Sequence, residues 1–232
     1  MPATAKDVIV VGAGNAALCA AISAAEHGAW VTVLERAPRS ARGGNSAFTG
    51  GCFRTVYDGE ADIGRLVPDL TEEERTGSAF GAYDAETFFL DLCRLSGYRA
   101  DPALIELLVA ESLPTMLWMQ QQGVRFLPAY GRQSFKVDGR NVFWGGLTTE
   151  TAGGGMGLVD ALFRRAEALG VTIRYDARVE RLLGDRHSVR GVVVNGEELV
   201  ADGVILAAGG YHANTEARVK YLGPGWDLAK VR

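Results

Sequence analysis

A short apolar run that ends in glycines sets the fold of the first part of this chain. Residues 7–11, DVIVV, are mostly β-branched and are followed at once by Gly-Ala-Gly and an alanine-rich stretch. A wholly apolar strand is typical of the centre of a parallel sheet, where helices cover both faces. Residues 15–27 predict a helix that ends at Gly28, and residues 30–34 predict a second strand. Because parallel neighbours need a right-handed crossover, this βαβ unit predicts an α/β fold with a parallel central sheet.

The turn of this unit carries a G-x-G-x-x-A pattern at Gly12, Gly14 and Ala17. The first glycine permits the tight turn, the second lets a pyrophosphate approach the backbone, and the alanine lets the helix pack closely on the strand. Asn15 and Ala16 open the helix, whose free N–H groups and partial positive charge attract phosphate. The pattern therefore predicts a Rossmann-like dinucleotide site.

Two further features favour FAD over the nicotinamide cofactors. Glu35 follows the second strand, about 20 residues after the glycines, where a carboxylate accepts the ribose hydroxyls and disfavours the 2′-phosphate of NADP. A second glycine-rich loop, RGGNSAFTGG at 42–51, comes directly afterwards. Its N–H groups and polar side chains suit the long polyhydroxylated chain of FAD, whereas an NAD-binding domain would continue into another helix and strand.

The rest of the chain predicts one FAD-binding domain over residues 1–232, with a mainly helical insertion at about 53–152. Helices are expected at 84–96, 102–122 and 158–169. Strands are expected at 124–127, at 133–144 with a turn at Asp138-Gly139, in the first half of 171–183, and at 204–210. An Asn195-Gly196 pair between apolar runs predicts a β-hairpin. The helix at 102–122 carries an apolar stripe that we expect to face the core, formed by Leu104, Leu107, Leu108, Leu113, Leu117 and Trp118.

Composition narrows the function further. A net charge of −4 argues against nucleic acid as a partner, because phosphate backbones need a basic surface. The three cysteines form no C-x-x-C pair, which favours a reducing cytoplasm over disulfides, and three scattered histidines suggest no metal site. No segment has about 18 continuous apolar residues, so we expect no membrane span.

The chain resembles the flavoprotein subunits of the succinate dehydrogenase and fumarate reductase group, and most closely the tricarballylate dehydrogenase-like members. The resemblance lies in VIVVGAGNAALCAAISAAEHGAWVTVLERA, RGGNSAFTGGCFR, QSFKVDGRNVFWGGLTTETAGGGMGLVDAL and GVILAAGGYHANTEARVKYLGP. It implies an FAD-dependent oxidoreductase that transfers hydride between the flavin and a small carboxylic acid, such as tricarballylate or a dicarboxylate. A separate electron-acceptor protein is implied as a partner.

The resemblance also implies which residues contact FAD. Asn45 lies where membrane-bound members carry a flavin-linking histidine, so the FAD is expected to be non-covalent. The implied contacts are Gly12, Gly14 and Ala17 at the pyrophosphate, Glu35 at the ribose, Arg36 and Ala37 beside the adenosine, Gly43, Gly44, Asn45, Ser46, Thr49, Gly50 and Gly51 along the flavin side, Val179 at the adenine edge, and Ala208, Gly209 and Gly210 near the cofactor.

Members of this family are roughly twice as long as this chain. Their capping domain and their catalytic arginine and histidine residues lie beyond the position of Arg232, so the expected FAD-binding domain is incomplete and no catalytic residue is assigned within it. Two alternatives stay open at this point. One is a non-catalytic or truncated FAD-binding fragment, and the other is a Rossmann-type interaction module without a cofactor.

Overall fold

A computed structural model describes residues 5–230 and divides the chain into two compact units. The first unit contains the described residues up to Phe48 and those from Val159 onward, and the second contains Thr49–Leu158. Each unit is described by itself below.

The strands and helices are numbered along the chain. The strands are β1 (Asp7–Val11), β2 (Trp30–Leu34), β3 (Cys52–Phe53), β4 (Tyr57–Asp58), β5 (Ser78–Ala79), β6 (Ala82–Tyr83), β7 (Phe126–Pro128), β8 (Ser134–Val137), β9 (Arg140–Phe143), β10 (Thr149–Thr151), β11 (Thr172–Arg174), β12 (Val179–Gly184), β13 (Val189–Val194), β14 (Glu197–Val200) and β15 (Gly203–Leu206). The helices are α1 (Asn15–Glu26), α2 (Gly59–Leu66), α3 (Glu72–Thr76), α4 (Ala85–Leu95), α5 (Pro102–Gln121), α6 (Tyr130–Gln133), α7 (Gly154–Ala168) and α8 (Thr215–Leu222).

The main sheet of the first unit has the strand order β11-β2-β1-β15, and each neighbouring pair is parallel. Val10 of β1 lies opposite Val33 of β2 and Ile205 of β15. Helix α1 buries Leu18 and Ile22 completely, as expected for a helix that covers a parallel sheet. The chain is therefore a mixed α/β protein.

The second sheet of this unit is antiparallel, with the order β12-β13-β14. Its β13–β14 hairpin turns at Asn195 (φ 49°) and Gly196 (φ 81°), the two positive φ angles that a type I′ turn requires. The strand predicted in the first half of 171–183 is present as β11, and a second strand, β12, follows it without having been predicted. The two are separated where Asp176 adopts a positive φ of 54°, which breaks the extended backbone.

The second unit combines helices α2–α6 with small sheets, so the mainly helical description of 53–152 leaves out several strands. The sheets have the orders β3-β10-β7, β4-β6 and β5-β9-β8. The strands predicted at 124–127 and 133–144 overlap β7 and the β8–β9 hairpin, and the other strands have only two or three residues, too few to show an alternating apolar pattern. The helix caps follow the sequence more closely, since Asp84 accepts the N–H of Thr87 at 2.7 Å.

Helix α5 buries only part of the predicted stripe, since Leu113, Leu117 and Trp118 are partly buried. Ile105 and Val109 are buried, whereas Leu104, Leu107 and Leu108 are 65%, 59% and 51% exposed. The helix is apolar on more than one side, and periodicity alone cannot select between two such faces.

By length and composition α5 also meets the criteria for a membrane-crossing helix, the one helix in residues 5–230 that does. One such helix is weak evidence of a span, because core helices and signal sequences satisfy the same criteria.

Candidate cofactor site

The β1–α1 turn is shaped by close contact between its first glycine and the segment that follows β15. Gly12 has a φ of +103°, and its N–H donates to the Leu34 carbonyl at 2.8 Å. A Cβ at this position would lie 2.5 Å from the Ala207 carbonyl oxygen and 3.1 Å from the Cα of Ala208. Both the backbone angle and the crowding exclude a side chain, so Gly12 fixes this turn against that segment.

The second glycine faces the other glycine-rich loop. A Cβ on Gly14 would lie 3.3 Å from the hydroxyl oxygen of Ser46, and the Asn15 N–H donates to that same oxygen at 2.9 Å. Ala17 is fully buried, which allows α1 to pack closely. Because the first N–H groups of a helix have no carbonyl partner inside it, those of Ala16 and Ala17 at the start of α1 are suited to an anion.

Glu35 lies at the end of β2 with its carboxylate only partly engaged. The residue is 8% exposed, and Oε1 accepts the Ala37 N–H at 2.8 Å. Oε2 accepts no hydrogen bond from residues 5–230 and is available to a ligand. The backbone is fixed on both sides, since its N–H donates to the Arg174 carbonyl and its carbonyl accepts the Ala177 N–H, each at 2.9 Å.

The remaining adenosine-side predictions differ in exposure. Arg36 is exposed, and Ala37 is partly buried, with its carbonyl accepting the Asp176 N–H at 3.2 Å. Val179 begins β12, pairs with Val194 and packs against the core cluster that contains Leu34. Val179 therefore belongs to the same core as the end of β2.

The loop at 43–46 is anchored by a residue that the sequence did not single out. Arg42 bonds to Asp160 and to the Tyr175 hydroxyl, both at 3.3 Å, and its guanidinium lies 4.1 Å from the ring centroid of Phe163. Gly43 is buried with a φ of +99°, while Gly44 (φ +52°) and Asn45 are exposed. An arginine before two glycines was the only signal in the sequence, and its partners lie more than a hundred residues away.

Thr49, Gly50 and Gly51, also predicted on the flavin side, belong to the second unit. The Gly51 N–H donates to the Thr49 hydroxyl at 3.3 Å, and a Cβ on Gly51 would collide with Thr151. A Cβ on Gly50 would lie 2.7 Å from Nη1 of Arg132. The positive φ and the crowding by Thr151 and the Gly154 backbone therefore require a glycine at position 51, whereas the Arg132 side chain could move away from a Cβ at position 50.

The three residues after Ala207 are exposed, as a cofactor-lining segment must be. Ala208 lies against Gly12, and Gly209 has a φ of +77°. A Cβ on Gly210 would lie 2.9 Å from Nδ1 of His212, whose other ring nitrogen contacts the Asn45 amide nitrogen. His212 thus joins the predicted site through Asn45, a contact between residues 167 positions apart that sequence reasoning missed.

Neither of two cysteine side chains is suited to act as a nucleophile. Burial raises the pKa of the Cys19 thiol to about 12. Burial and the neighbouring Glu150 carboxylate raise the pKa of the Cys52 thiol. A thiol reacts as its thiolate, so both remain weak nucleophiles at neutral pH.

The first unit therefore provides what a dinucleotide needs: a turn without side chains, a helix N-terminus and a carboxylate with a free oxygen. A family model described as an FAD binding domain matches residues 7–226. The chain belongs to this family. FAD is its cofactor, and the glycine cradle at Gly12 and Gly14 fits that molecule.

The chain is similar to parts of several longer proteins. The chain is 30% identical over 229 residues to a fumarate reductase (cytochrome) of Shewanella frigidimarina, covering 96% of this chain and 36% of that protein. It resembles the open conformation of a flavocytochrome c3 fumarate reductase, with a TM-score of 0.70, 27% identity, and coverage of 95% of this chain and 36% of the other. It also resembles a 3-ketosteroid-delta4-(5alpha)-dehydrogenase from Rhodococcus jostii RHA1, with a TM-score of 0.67, 26% identity, and coverage of 93% and 48%. The chain spans about a third of the length of the curated relatives it matches.

Proposed function

We propose that this chain is the flavin-binding part of an oxidoreductase that transfers hydride between FAD and a small carboxylic acid. The observation that carries the proposal is the match to an FAD binding domain over residues 7–226, together with 30% identity to a fumarate reductase. In such a reaction a hydride and a proton are added to a C=C bond beside a carboxylate, or removed from the saturated acid. Tricarballylate is one acid of this class.

The residues of this chain would bind and orient the cofactor. FAD, when bound, supplies the hydride chemistry, and the protein contributes position and charge. Oε2 of Glu35 accepts ribose hydroxyls, and the N–H groups at the start of α1 hold the pyrophosphate. Asn45 has no nucleophilic nitrogen for flavin attachment, so the cofactor is held without a covalent bond.

The acid is favoured over a steroid substrate by the sequence. The relatives include enzymes named for fumarate, acrylate and urocanate, all of them unsaturated acids. Identity alone does not separate the two classes, since the fumarate reductase and steroid dehydrogenase structures share 27% and 26% with this chain. Fumarate is a small dianion and 4-androstene-3,17-dione is a large apolar molecule, so a competition between the two classes separates the assignments cleanly.

The residue that handles the proton is not assigned in this chain. The glycine cradle and the available carboxylate oxygen argue against an interaction module that has lost its cofactor, because such a module needs neither. A non-catalytic flavin-binding role makes a different prediction from the proposed function, since the bound flavin would exchange no electrons with any acid.

Anaerobic flavin oxidation tests the proposal. The FAD-loaded protein is reduced with dithionite, the excess is removed, and fumarate, aconitate or 4-androstene-3,17-dione is added while the flavin absorbance band is recorded. We expect an unsaturated acid to restore the oxidised spectrum and to yield the saturated acid. Recovery of the oxidised flavin spectrum with the steroid alone, or with none of the three compounds, would contradict the proposal.

A further inference from the structure

Two segments contact the glycine turn in the first unit. A Cβ on Gly12 would meet Ala207 and Ala208, and a Cβ on Gly14 would meet the oxygen atoms of Ser46 and Gly43. The turn that presents the N–H groups of α1 is therefore bordered by the segment after β15 at Gly12 and by the loop at 43–46 at Gly14.

Side chains from these two borders meet. The Asn45 amide nitrogen contacts Nε2 of His212, and both residues are exposed. His212 comes two residues after Gly210, and Asn45 comes one residue before Ser46, which binds the Asn15 N–H. The contact thus joins the two borders across the glycine turn.

The backbone of His212 is held in place by a buried arginine. Arg218 is buried, and its Nη1 donates to the His212 carbonyl at 2.5 Å. Its Nε donates to the Trp226 carbonyl at 2.9 Å, and Nη2 donates to the Ala229 carbonyl at 3.2 Å. One buried guanidinium binds several carbonyls of this segment, so the backbone that carries the His212 imidazole is held in one position.

We propose that Asn45 and His212 form a clasp that retains FAD, with His212 as a positioning residue acting through Asn45. The FAD phosphates bound at the start of α1 would lie between the two borders. The contact between Asn45 and His212 would then resist movement of one border away from the other. The inference depends on FAD binding and not on the reaction, so its test is independent of the test of the proposed function. It assigns a role to a histidine for which the sequence analysis gave none.

The rate of FAD release tests the clasp. Protein loaded with FAD is mixed with an excess of a flavin-scavenging apoprotein, and the loss of bound flavin is followed by fluorescence. We expect His212→Ala and Asn45→Ala each to release FAD about threefold to tenfold faster, the range that one net hydrogen bond supplies. The double variant should be no faster than the faster single variant, because both changes break the same contact. His212→Gln, which keeps a polar group in reach, should release FAD at close to the original rate.

His187→Ala is the matched control, because His187 is also exposed in the first unit and makes one side-chain bond, to Arg186 at 2.8 Å. Its release rate should be unchanged. The melting temperature of each variant without FAD separates retention from folding, and we expect the clasp variants to match the parent there. Unchanged release in both single variants, multiplicative effects in the double variant, or a loss of stability without FAD that accounts for faster release would each overturn the proposal.

Discussion

Gly12 shows how much a single residue of this site follows from the sequence. The G-x-G-x-x-A spacing predicts a glycine that must turn tightly, and its φ of +103° meets that expectation. The atom that excludes a side chain there, the Ala207 carbonyl oxygen, belongs to the distant segment after β15 and could not be identified from the motif. The same holds for Arg42 and His212, whose importance rests entirely on partners distant in the sequence. A motif indicates what the backbone must do, and only the folded chain shows which atoms it packs against.

Replacing Gly12 with alanine should destabilise the protein strongly. The left-handed backbone and the contact with Ala207 together predict a loss of about 2 to 5 kcal/mol in the free energy of unfolding, measured with urea. Gly28→Ala is the matched control, because Gly28 also has a positive φ (+83°) but a Cβ there would have no atom within 4 Å. The Gly28→Ala variant should lose only about 1 to 2 kcal/mol in the free energy of unfolding. Equal losses in the two variants would show that crowding by Ala207 is unimportant.

The buried Cys19 thiol predicts a dependence of stability on pH. Its pKa is raised from 9.0 to about 12 by burial, so the folded protein keeps a proton that the unfolded chain loses. The contribution of the Cys19 thiol to the free energy of unfolding is fully present below pH 9.0. As the pH rises from there toward about 12, the free energy of unfolding falls by about 1.4 kcal/mol per pH unit. Urea unfolding above pH 9 should therefore show a steeper loss in the parent protein than in Cys19→Ala. Parallel pH profiles for the two proteins would contradict this assignment.

At the scale of elements, local signals predicted helix starts and turns better than packing faces. Asp101 accepts the Ala103 N–H at 2.9 Å, as an N-cap before Pro102 should, and Asn195-Gly196 closes its hairpin. Helix α7 begins at Gly154, four residues before the predicted start, because glycines give no helical signal of their own. The predicted core face of α5 was wrong in the first turns of the helix, where Ile105 and Val109 are buried in place of Leu104 and Leu108. An apolar sequence on several sides leaves the choice of face to tertiary contacts.

The two faces of α5 should respond differently to truncation. Ile105→Ala removes a buried side chain and should cost about 2 to 4 kcal/mol in the free energy of unfolding. Leu108→Ala removes a half-exposed side chain on the same helix and should cost less than about 1 kcal/mol. Chemical denaturation of both variants measures the difference. A larger cost at Leu108 would mean that the predicted core stripe was right and that the burial observed at Ile105 is not the stabilising contact.

At the scale of the whole molecule, the sequence predicted a dinucleotide-binding α/β protein with an insertion, and it missed the shortest strands of that insertion. The second unit, Thr49–Leu158, contains pairs as short as Tyr57–Asp58 with Ala82–Tyr83, whose partners are set by tertiary structure and not by pattern. The cofactor-binding pattern at 12–17 needs only neighbouring residues and could be identified directly. The boundary between the two units at Thr49 could not be identified from the sequence, because it divides a single glycine-rich loop.

The central claim is that this chain binds FAD through the first unit and holds it without a covalent bond. The most direct measurement is the visible absorption spectrum of the purified, desalted protein, recorded again on the supernatant after heat denaturation. We expect flavin bands in the protein and their full recovery in the supernatant. Flavin that stays with the precipitate would show a covalent bond. A protein that is colourless and remains so after incubation with FAD would contradict the account at its foundation.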